Sequence, residues 1–185
     1  MKDHKLPYIS YLLVICLFLI CILEGNKAVT TMAESRPIPR SVCIVLDAGH
    51  GDPDGGATSC TGKLESTFNL EIAQRLEDLL HLLGYETKML RSDETSIYTS
   101  GQTIAQKKIS DLRERVRITN ETPGAILISI HQNYFPQSQY RGAVMLYPLT
   151  QGSQQLAETL QKAFVSALDP GNKRLAKQVS GVYLM

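Results

Sequence analysis

The sequence has no excess of charge of either sign, and it contains no internal repeat or low-complexity tract. Its 185 residues include 19 Lys and Arg against 18 Asp and Glu, which gives a formal net charge of +1 at pH 7. This balance provides no basic surface of the kind that binds nucleic acid, so we exclude a nucleic-acid partner. With 43% hydrophobic residues, the composition is typical of one globular domain of ordinary size.

The fingerprints of three common enzyme classes are also missing. The Gly-x-Ser-x-Gly elbow of serine hydrolases does not occur, and neither does a phosphate-binding loop. The segment Gly49-His-Gly51 lacks the third glycine that a dinucleotide-binding turn requires. We therefore rank nucleophilic-serine catalysis and nucleotide-dependent chemistry of these kinds below other functions.

The N-terminus has an apolar run that is short for a membrane span, which needs ~20 residues. Lys2 and Lys5 precede the unbroken run Leu12 to Leu23, an order that is typical of a secretory signal. Counting from Leu6 brings the run close to spanning length, so an uncleaved anchor stays open beside cleavage after Ala33. We predict an exported, extracytoplasmic protein with a signal peptide or anchor over residues 1–33, a linker over 34–41 and the folded domain over 42–185.

The four cysteines form no recognisable framework. Cys16 and Cys21 lie in the apolar run, Cys43 lies in a predicted strand, and Cys60 lies in a glycine-rich loop. An exported domain permits a disulfide, but burial in the strand is the simpler explanation for Cys43. Cys60 stays open as a competing metal ligand.

Strand and helix patterns alternate after Arg40. Apolar residues at helical spacing (Ile72, Leu76, Leu79 and Leu83) predict a helix that ends at Gly84. The predicted strands are Val42–Leu46, Tyr85–Leu90, Ala125–Ile130 and Ala143–Tyr147; the predicted helices are Phe68–Leu83, one through Ile109 to Val116 that ends near Asn120, and Gln154–Leu168; and a polar loop covers Arg91–Thr103. This alternation predicts an α/β fold with a twisted, mostly parallel sheet and helices on both faces.

Two of the predicted strands end abruptly in a histidine. His50 follows Val42-Cys-Ile-Val-Leu46 by a short turn, and His131 follows Ile126-Leu-Ile-Ser-Ile130 directly. Ligands of an open α/β sheet gather at the carboxyl ends of the strands, so the two imidazoles can meet there. Glu65 stands at the mouth of a predicted helix. Two histidines and one glutamate, with a fourth position open, form a hydrolytic zinc site, and we predict Zn²⁺ bound by His50, Glu65 and His131.

The alternative is that each histidine is an ordinary polar loop residue, which is the commoner role for a lone histidine after a strand. The glycines around His50 favour the metal site: they are Gly49, Gly51, Gly55 and Gly56. Glycine occurs where the backbone must bend or approach a ligand closely.

Other polar residues admit two readings each. Asp47 either orients a zinc-binding imidazole through its free N–H or holds the loop by an Asx-type turn. Asn133 either polarises a substrate carbonyl or caps the end of its strand. His81 is predicted to be a surface or packing histidine. A solvated helix face is predicted for three arginines: Arg113, Arg115 and Arg117.

These motifs resemble those of the zinc-dependent N-acetylmuramoyl-L-alanine amidases. The resemblance is carried by Leu46-Asp-Ala-Gly-His50-Gly, by Glu65 and by Ser129-Ile-His131-Gln-Asn133, and it runs from about Val42 to the last residue. The segments from Ser96-Ile-Tyr98 to Gln132-Asn-Tyr134-Phe135-Pro136, and the ending Gly181-Val-Tyr-Leu-Met185, are similar to the germination-specific, spore-cortex branch.

The resemblance implies a function as well as a fold. The family hydrolyses the amide between N-acetylmuramic acid and L-alanine of the stem peptide, so peptidoglycan glycan strands and stem peptides would be the partners. The implied location is the cell wall or the forespore envelope, with membrane contact only through the N-terminal segment. One of the three arginines would, as an alternative to solvation, contact a stem-peptide carboxylate.

The resemblance also raises an expectation about the C-terminus. Family members continue past a Tyr-Leu-Met-like segment into a final strand that ends in a catalytic glutamate, followed by a closing helix. The acidic residues after His131 are Glu158, in a predicted helix, and Asp169, before Pro170. We therefore expect the last strand, the helix and the catalytic glutamate to lie beyond Met185. The alternative to an amidase is a catalytically inactive, zinc-holding remnant that binds peptidoglycan.

Overall fold

A parallel three-stranded sheet forms the centre of the fold. The computed structural model describes residues 41–132, 134 and 141–184, all of which belong to the unit Arg40–Met185. The strands of this sheet are β1 (Cys43–Ala48), β2 (Glu86–Met89) and β3 (Ala125–Ile130), in the order β2-β1-β3. Three helices are described, α1 (Glu65–Leu82), α2 (Ile104–Glu121) and α3 (Ser153–Leu168). The predicted signal, anchor and linker, with Cys16 and Cys21, lie outside the described residues apart from residue 41.

The central strand β1 has a parallel neighbour on each side, and its last four residues are buried. Val45, Leu46 and Ala48 are fully buried, and Leu70 and Ala73 of α1 are buried beside Ala48. A near-continuous apolar run is what a parallel strand with both faces covered requires. The predicted α/β alternation is therefore confirmed. None of the described helices combines the length and apolarity that a membrane span requires.

Helix α1 confirms one sequence prediction and contradicts another. Gly84 has φ +83° and closes the helix as predicted: its N–H bonds to His81 and the N–H of Tyr85 bonds to Leu80, the Schellman pattern. The predicted apolar face is wrong, because Ile72, Leu79 and Leu83 are exposed. The buried face has one large apolar side chain, Leu70, among small or polar residues: Glu65, Ser66, Asn69 and Ala73.

A second, two-stranded parallel sheet pairs β4 (Leu146–Tyr147) with β5 (Lys177–Gln178). Strand β4 is shorter than the predicted Ala143–Tyr147, because side chains satisfy the backbone there. Buried Gln161 of α3 accepts from the N–H of Met145 and donates to the carbonyl of Ala143. Strand β5 was not predicted; a two-residue pairing leaves no periodic signal in the sequence.

Candidate metal centre

The register of the central sheet brings the two predicted histidines together. Strands β1 and β3 pair in parallel, with Ala48 opposite Ile130, and the N–H of Gly49 continues the pairing by donating to the carbonyl of Ile130 at 3.0 Å. His50 and His131 therefore leave the sheet at the same edge. Their rings lie edge to face, with centroids 4.9 Å apart.

Glu65 completes the cluster from the first turn of α1. Its Oε1 lies 3.3 Å from Nε2 of His50 and 3.1 Å from Nδ1 of His131, and the side chain is 6% exposed. Backbone N–H groups hold both carboxylate oxygens, from Ala57 to Oε2 and from Gln132 to Oε1, each at 3.0 Å. Burial alone would raise the pKa of Glu65, but these hydrogen bonds and the nearby His50 outweigh it and lower the pKa. The carboxylate is therefore held ionised, as a metal ligand requires.

The three side chains fit a zinc ion by their chemistry and their spacing. One ligand atom from each lies within 4.8 Å of the others. Tetrahedral zinc with bonds of ~2.0–2.2 Å places neighbouring ligand atoms roughly 3.3–3.5 Å apart, close to the distance between His50 and Glu65. Two imidazoles and a carboxylate are also a donor set of hydrolytic zinc enzymes, in which a fourth position stays open.

Asp54 orients His50, a role that sequence reasoning missed. Its Oδ2 lies 3.0 Å from Nδ1 of His50 and 2.8 Å from Nζ of Lys108 in α2. Burial alone would raise the pKa of Asp54, but the hydrogen bonds from Lys108 and His50 lower it to about 2. An acceptor at Nδ1 leaves Nε2 as the nitrogen of His50 that could bind a metal ion. The available signal was a carboxylate four residues after the histidine, in the same glycine-rich loop.

Asp47 does not contact either imidazole. It is fully buried, pairs with Arg115 of α2 and accepts from Oγ of Ser129 at 2.6 Å. The geometry therefore does not support Asp47 as a direct acceptor for either imidazole of the cluster.

The solvated face predicted for the arginines of α2 is wrong for Arg115, which is 1% exposed because two aspartates pair with it. The prediction is right for Arg113 and Arg117, which are exposed.

Two glycines allow the close approach that the sequence suggested. A Cβ at Gly49 would lie 2.3 Å from the ring of His131. A Cβ at Gly56 would lie 2.7 Å from both Oε2 of Glu65 and Cδ2 of His50. Any larger residue at either position would displace a side chain of the His50–Glu65–His131 cluster. His50 itself has φ +64°, a left-handed conformation that is uncommon outside glycine.

The remaining candidates lie elsewhere. Cys60 is exposed and outside the His50–Glu65–His131 group, and both Cys43 and Cys60 are free thiols. His81 is exposed and bonds to Oγ1 of Thr87 at 2.5 Å, as predicted for a surface or packing histidine. Glu158 bonds to the side chain of Gln154 on α3, and Asp169 bonds to the N–H of Gly171. Asn133 lies outside the described residues.

Two cavities meet at Glu65 and form a groove, which we call the Glu65 groove. One cavity, of about 360 Å³, contains His50 and His131 and has an apolar wall that includes Leu146. The other, of about 240 Å³, is lined by Lys63 and Phe68, with Nζ of Lys63 4.4 Å from the centre of the Phe68 ring. Both cavities share the residues Ala57, Glu65, Gln132 and Tyr134. An extended substrate can therefore cross the metal centre from one cavity to the other.

Comparisons with known proteins agree with this geometry. The Amidase_3 family, N-acetylmuramoyl-L-alanine amidase, matches residues 44–185. The germination-specific N-acetylmuramoyl-L-alanine amidase of Bacillus subtilis (strain 168) is 34% identical over 98% of this chain and 76% of its own length. The amidase LytC of the same strain is 31% identical over 68% of this chain, which spans 23% of LytC. The CwlD amidase from Clostridioides difficile, solved in complex with the GerS lipoprotein, has a TM-score of 0.72 and 34% identity, over 77% of this chain and 75% of that one.

Proposed function

Because the chain belongs to the N-acetylmuramoyl-L-alanine amidase family, we propose that it hydrolyses the amide between N-acetylmuramic acid and L-alanine in peptidoglycan. The observation that carries this function is the convergence of His50, Glu65 and His131 at the carboxyl edge of two parallel strands. Similarity to a germination-specific amidase supports the spore cortex as the setting.

Zinc is the metal that the donor set favours. When bound, zinc acts as a Lewis acid and lowers the pKa of a coordinated water toward ~7. His50, Glu65 and His131 would hold the ion, and Asp54 would keep His50 in the tautomer that presents Nε2. The ionised Glu65 supplies one negative charge, which balances part of the charge of a divalent cation.

Hydrolysis also needs a group that accepts a proton from water and delivers it to the leaving amine. Neither carboxylate that contacts the imidazoles suits this role. Glu65 serves as a ligand, and Asp54, with a pKa of about 2 and an ion pair to Lys108, is too weak a base. None of the residues that the structure describes is therefore assigned as the proton acceptor.

The Glu65 groove suggests how the substrate lies. The stem peptide carries carboxylates, and Lys63 is the cationic side chain of the smaller cavity. The larger cavity has apolar walls, and the described residues that line it include no Lys or Arg, which suits a neutral N-acetylated sugar. The peptide would therefore occupy the cavity of Lys63, and the glycan would occupy the cavity of the histidines.

Export fits a substrate that lies outside the cytoplasm, and an N-terminal apolar run after two lysines is the feature that supports it. The structurally similar CwlD amidase was solved in complex with a lipoprotein. Peptidoglycan is the partner that the site of this chain supports.

The test is release of stem peptide from purified peptidoglycan by the zinc-loaded chain, compared with His131→Ala and with the matched control His81→Ala. We expect the first variant to lose zinc and activity and the second to keep both. Equal zinc content in wild type and His131→Ala would remove His131 from the site. Zinc-dependent binding to peptidoglycan without release of peptide would support a non-catalytic binder instead.

A further inference from the structure

Three successive backbone carbonyls lie in the stretch from the end of β1 to the first proposed metal ligand. They belong to Ala48, Gly49 and His50, and each accepts hydrogen bonds from a buried side chain. Carbonyls that leave a sheet have lost their strand partners, so their orientation depends on whichever donors replace those partners. The donors here are mostly two arginines.

Arg91, two residues beyond the end of β2, ties this segment to the start of α1. Its Nε donates to the carbonyl of Ala48 at 2.8 Å, and its Nη2 donates to Gly49 at 3.2 Å and to Ser66 at 2.6 Å. Ser66 is the neighbour of the ligand Glu65. Arg91 is 3% exposed, so its guanidinium bridges the segments of two metal ligands in an interior site.

Arg115 of α2 ties the same segment to β3. It donates to the carbonyls of Ala48 at 3.0 Å and of His50 at 2.7 Å, and it pairs with Asp47. Asp47 in turn accepts from Ser129, two residues before the ligand His131. On the other side, Nε of Arg115 donates to Asp111 at 2.7 Å, which anchors the guanidinium to its own helix.

We infer that Arg91 and Arg115 are positioning residues that together set the separation of the three metal ligands, and with it the metal affinity. This rests on the metal site of the proposed function. Arg91 joins the segments of His50 and Glu65, and Arg115 joins those of His50 and His131. Only a planar guanidinium offers several donors in fixed directions, so lysine keeps the charge at either position but not the bridge.

The experiment compares the full chain with Arg91→Lys, Arg115→Lys and the matched control Arg117→Lys. Arg117 lies on α2 beside Arg115 but is 51% exposed, and within the part of the chain that the structure describes it pairs only with glutamates of its own helix. Zinc affinity is measured by competition with a chromogenic chelator, and ligand geometry by the visible absorption bands of the cobalt-substituted protein. Loss of a supporting contact of this kind weakens metal binding roughly 10–100-fold. We expect that loss, with shifted cobalt bands, in the first two variants and neither change in Arg117→Lys.

The outcomes separate the inference from the function. Folded Arg91→Lys and Arg115→Lys variants with wild-type zinc affinity and cobalt bands would overturn the inference, even if they unfold at lower temperature. If neither variant folds, Ser129→Ala decides: it removes the side-chain hydrogen bond from β3 to Asp47 and leaves the backbone pairing of β1 with β3 in place, and unchanged zinc affinity there would overturn the inference. A wild-type chain that binds no zinc would instead refute the metal site of the proposed function.

Discussion

Replacing Gly49 by alanine is expected to abolish tight zinc binding, because the new methyl group would occupy the space of the His131 ring. A Cβ at Gly49 lies 2.3 Å from both Cε1 and Nε2 of His131, whereas ordinary van der Waals contact begins at 3.4 Å. The ring would therefore have to retreat by about 1 Å. Zinc–nitrogen distances vary by only roughly 0.2 Å around ~2.0–2.1 Å, so a retreat of this size breaks the bond. The φ of Gly49 is not in the left-handed region, so backbone strain adds nothing.

The assay is the zinc dissociation constant of wild type, Gly49→Ala and the control Gly171→Ala, measured by chelator competition. At Gly171 a Cβ meets only Oδ1 of Asp169, at 3.2 Å, and a flexible carboxylate can move aside. Loss of a direct ligand should weaken zinc binding by more than the roughly 10–100-fold effect of losing a supporting contact. We therefore expect the zinc affinity of Gly49→Ala to fall at least about 100-fold and that of the control to stay at the wild-type value. Wild-type affinity in Gly49→Ala would show that His131 does not bind the ion in the position described.

Three further substitutions test separate parts of the site. Asp54→Asn keeps the size of the side chain but weakens its hold on His50, and we expect zinc affinity to fall roughly 10–100-fold in the same chelator assay. Arg115→Met leaves the buried Asp47 without its counter-charge, so the free energy of unfolding measured in urea should fall by about 3–5 kcal/mol; an unchanged value would contradict the buried pair. Lys63→Met should raise the KM for muropeptides with free stem-peptide carboxylates and leave it unchanged for the corresponding carboxamides, and an equal change for both would refute the orientation in the Glu65 groove.

The His50–Glu65–His131 cluster was predictable because its signal is topological. An apolar run of strand length that ends in a histidine places that histidine at the carboxyl edge of a parallel sheet, and two such runs place two histidines there. The register of β1 and β3 then brings His50 and His131 together. Glu65 was predictable for the same reason, since it begins a helix that crosses from β1 to the next strand. The strand Ala125–Ile130 matches its prediction at both ends.

The supporting residues were not predictable from the same kind of pattern. Arg115 lies between two exposed arginines, and nothing in its local sequence distinguishes it from them. Its burial depends on Asp47, which is 68 residues away in the chain. The predicted buried face of α1 was wrong for a related reason. The leucines mark the more hydrophobic face of the helix, but the face that packs beside the site carries Asn69, which donates to the carbonyl of Gly49 at 3.1 Å.

The interior beside the His50–Glu65–His131 cluster is therefore held by directional contacts more than by hydrophobic packing. Among the described residues, the fully buried side chains include Arg115, Asn69, Asp47 and Ser66, and no buried polar side-chain atom lacks a hydrogen-bond partner. A buried polar group costs stability unless it is paired, so such a cluster persists only in the one arrangement that pairs every member. Apolar packing tolerates small displacements of its parts, but hydrogen bonds weaken steeply with angle and distance. A metal site would have to hold three ligand atoms to within a few tenths of an ångström, so an interior held by hydrogen bonds suits it better than one held by apolar packing. Hydropathy patterns carry no signal for such hydrogen bonds.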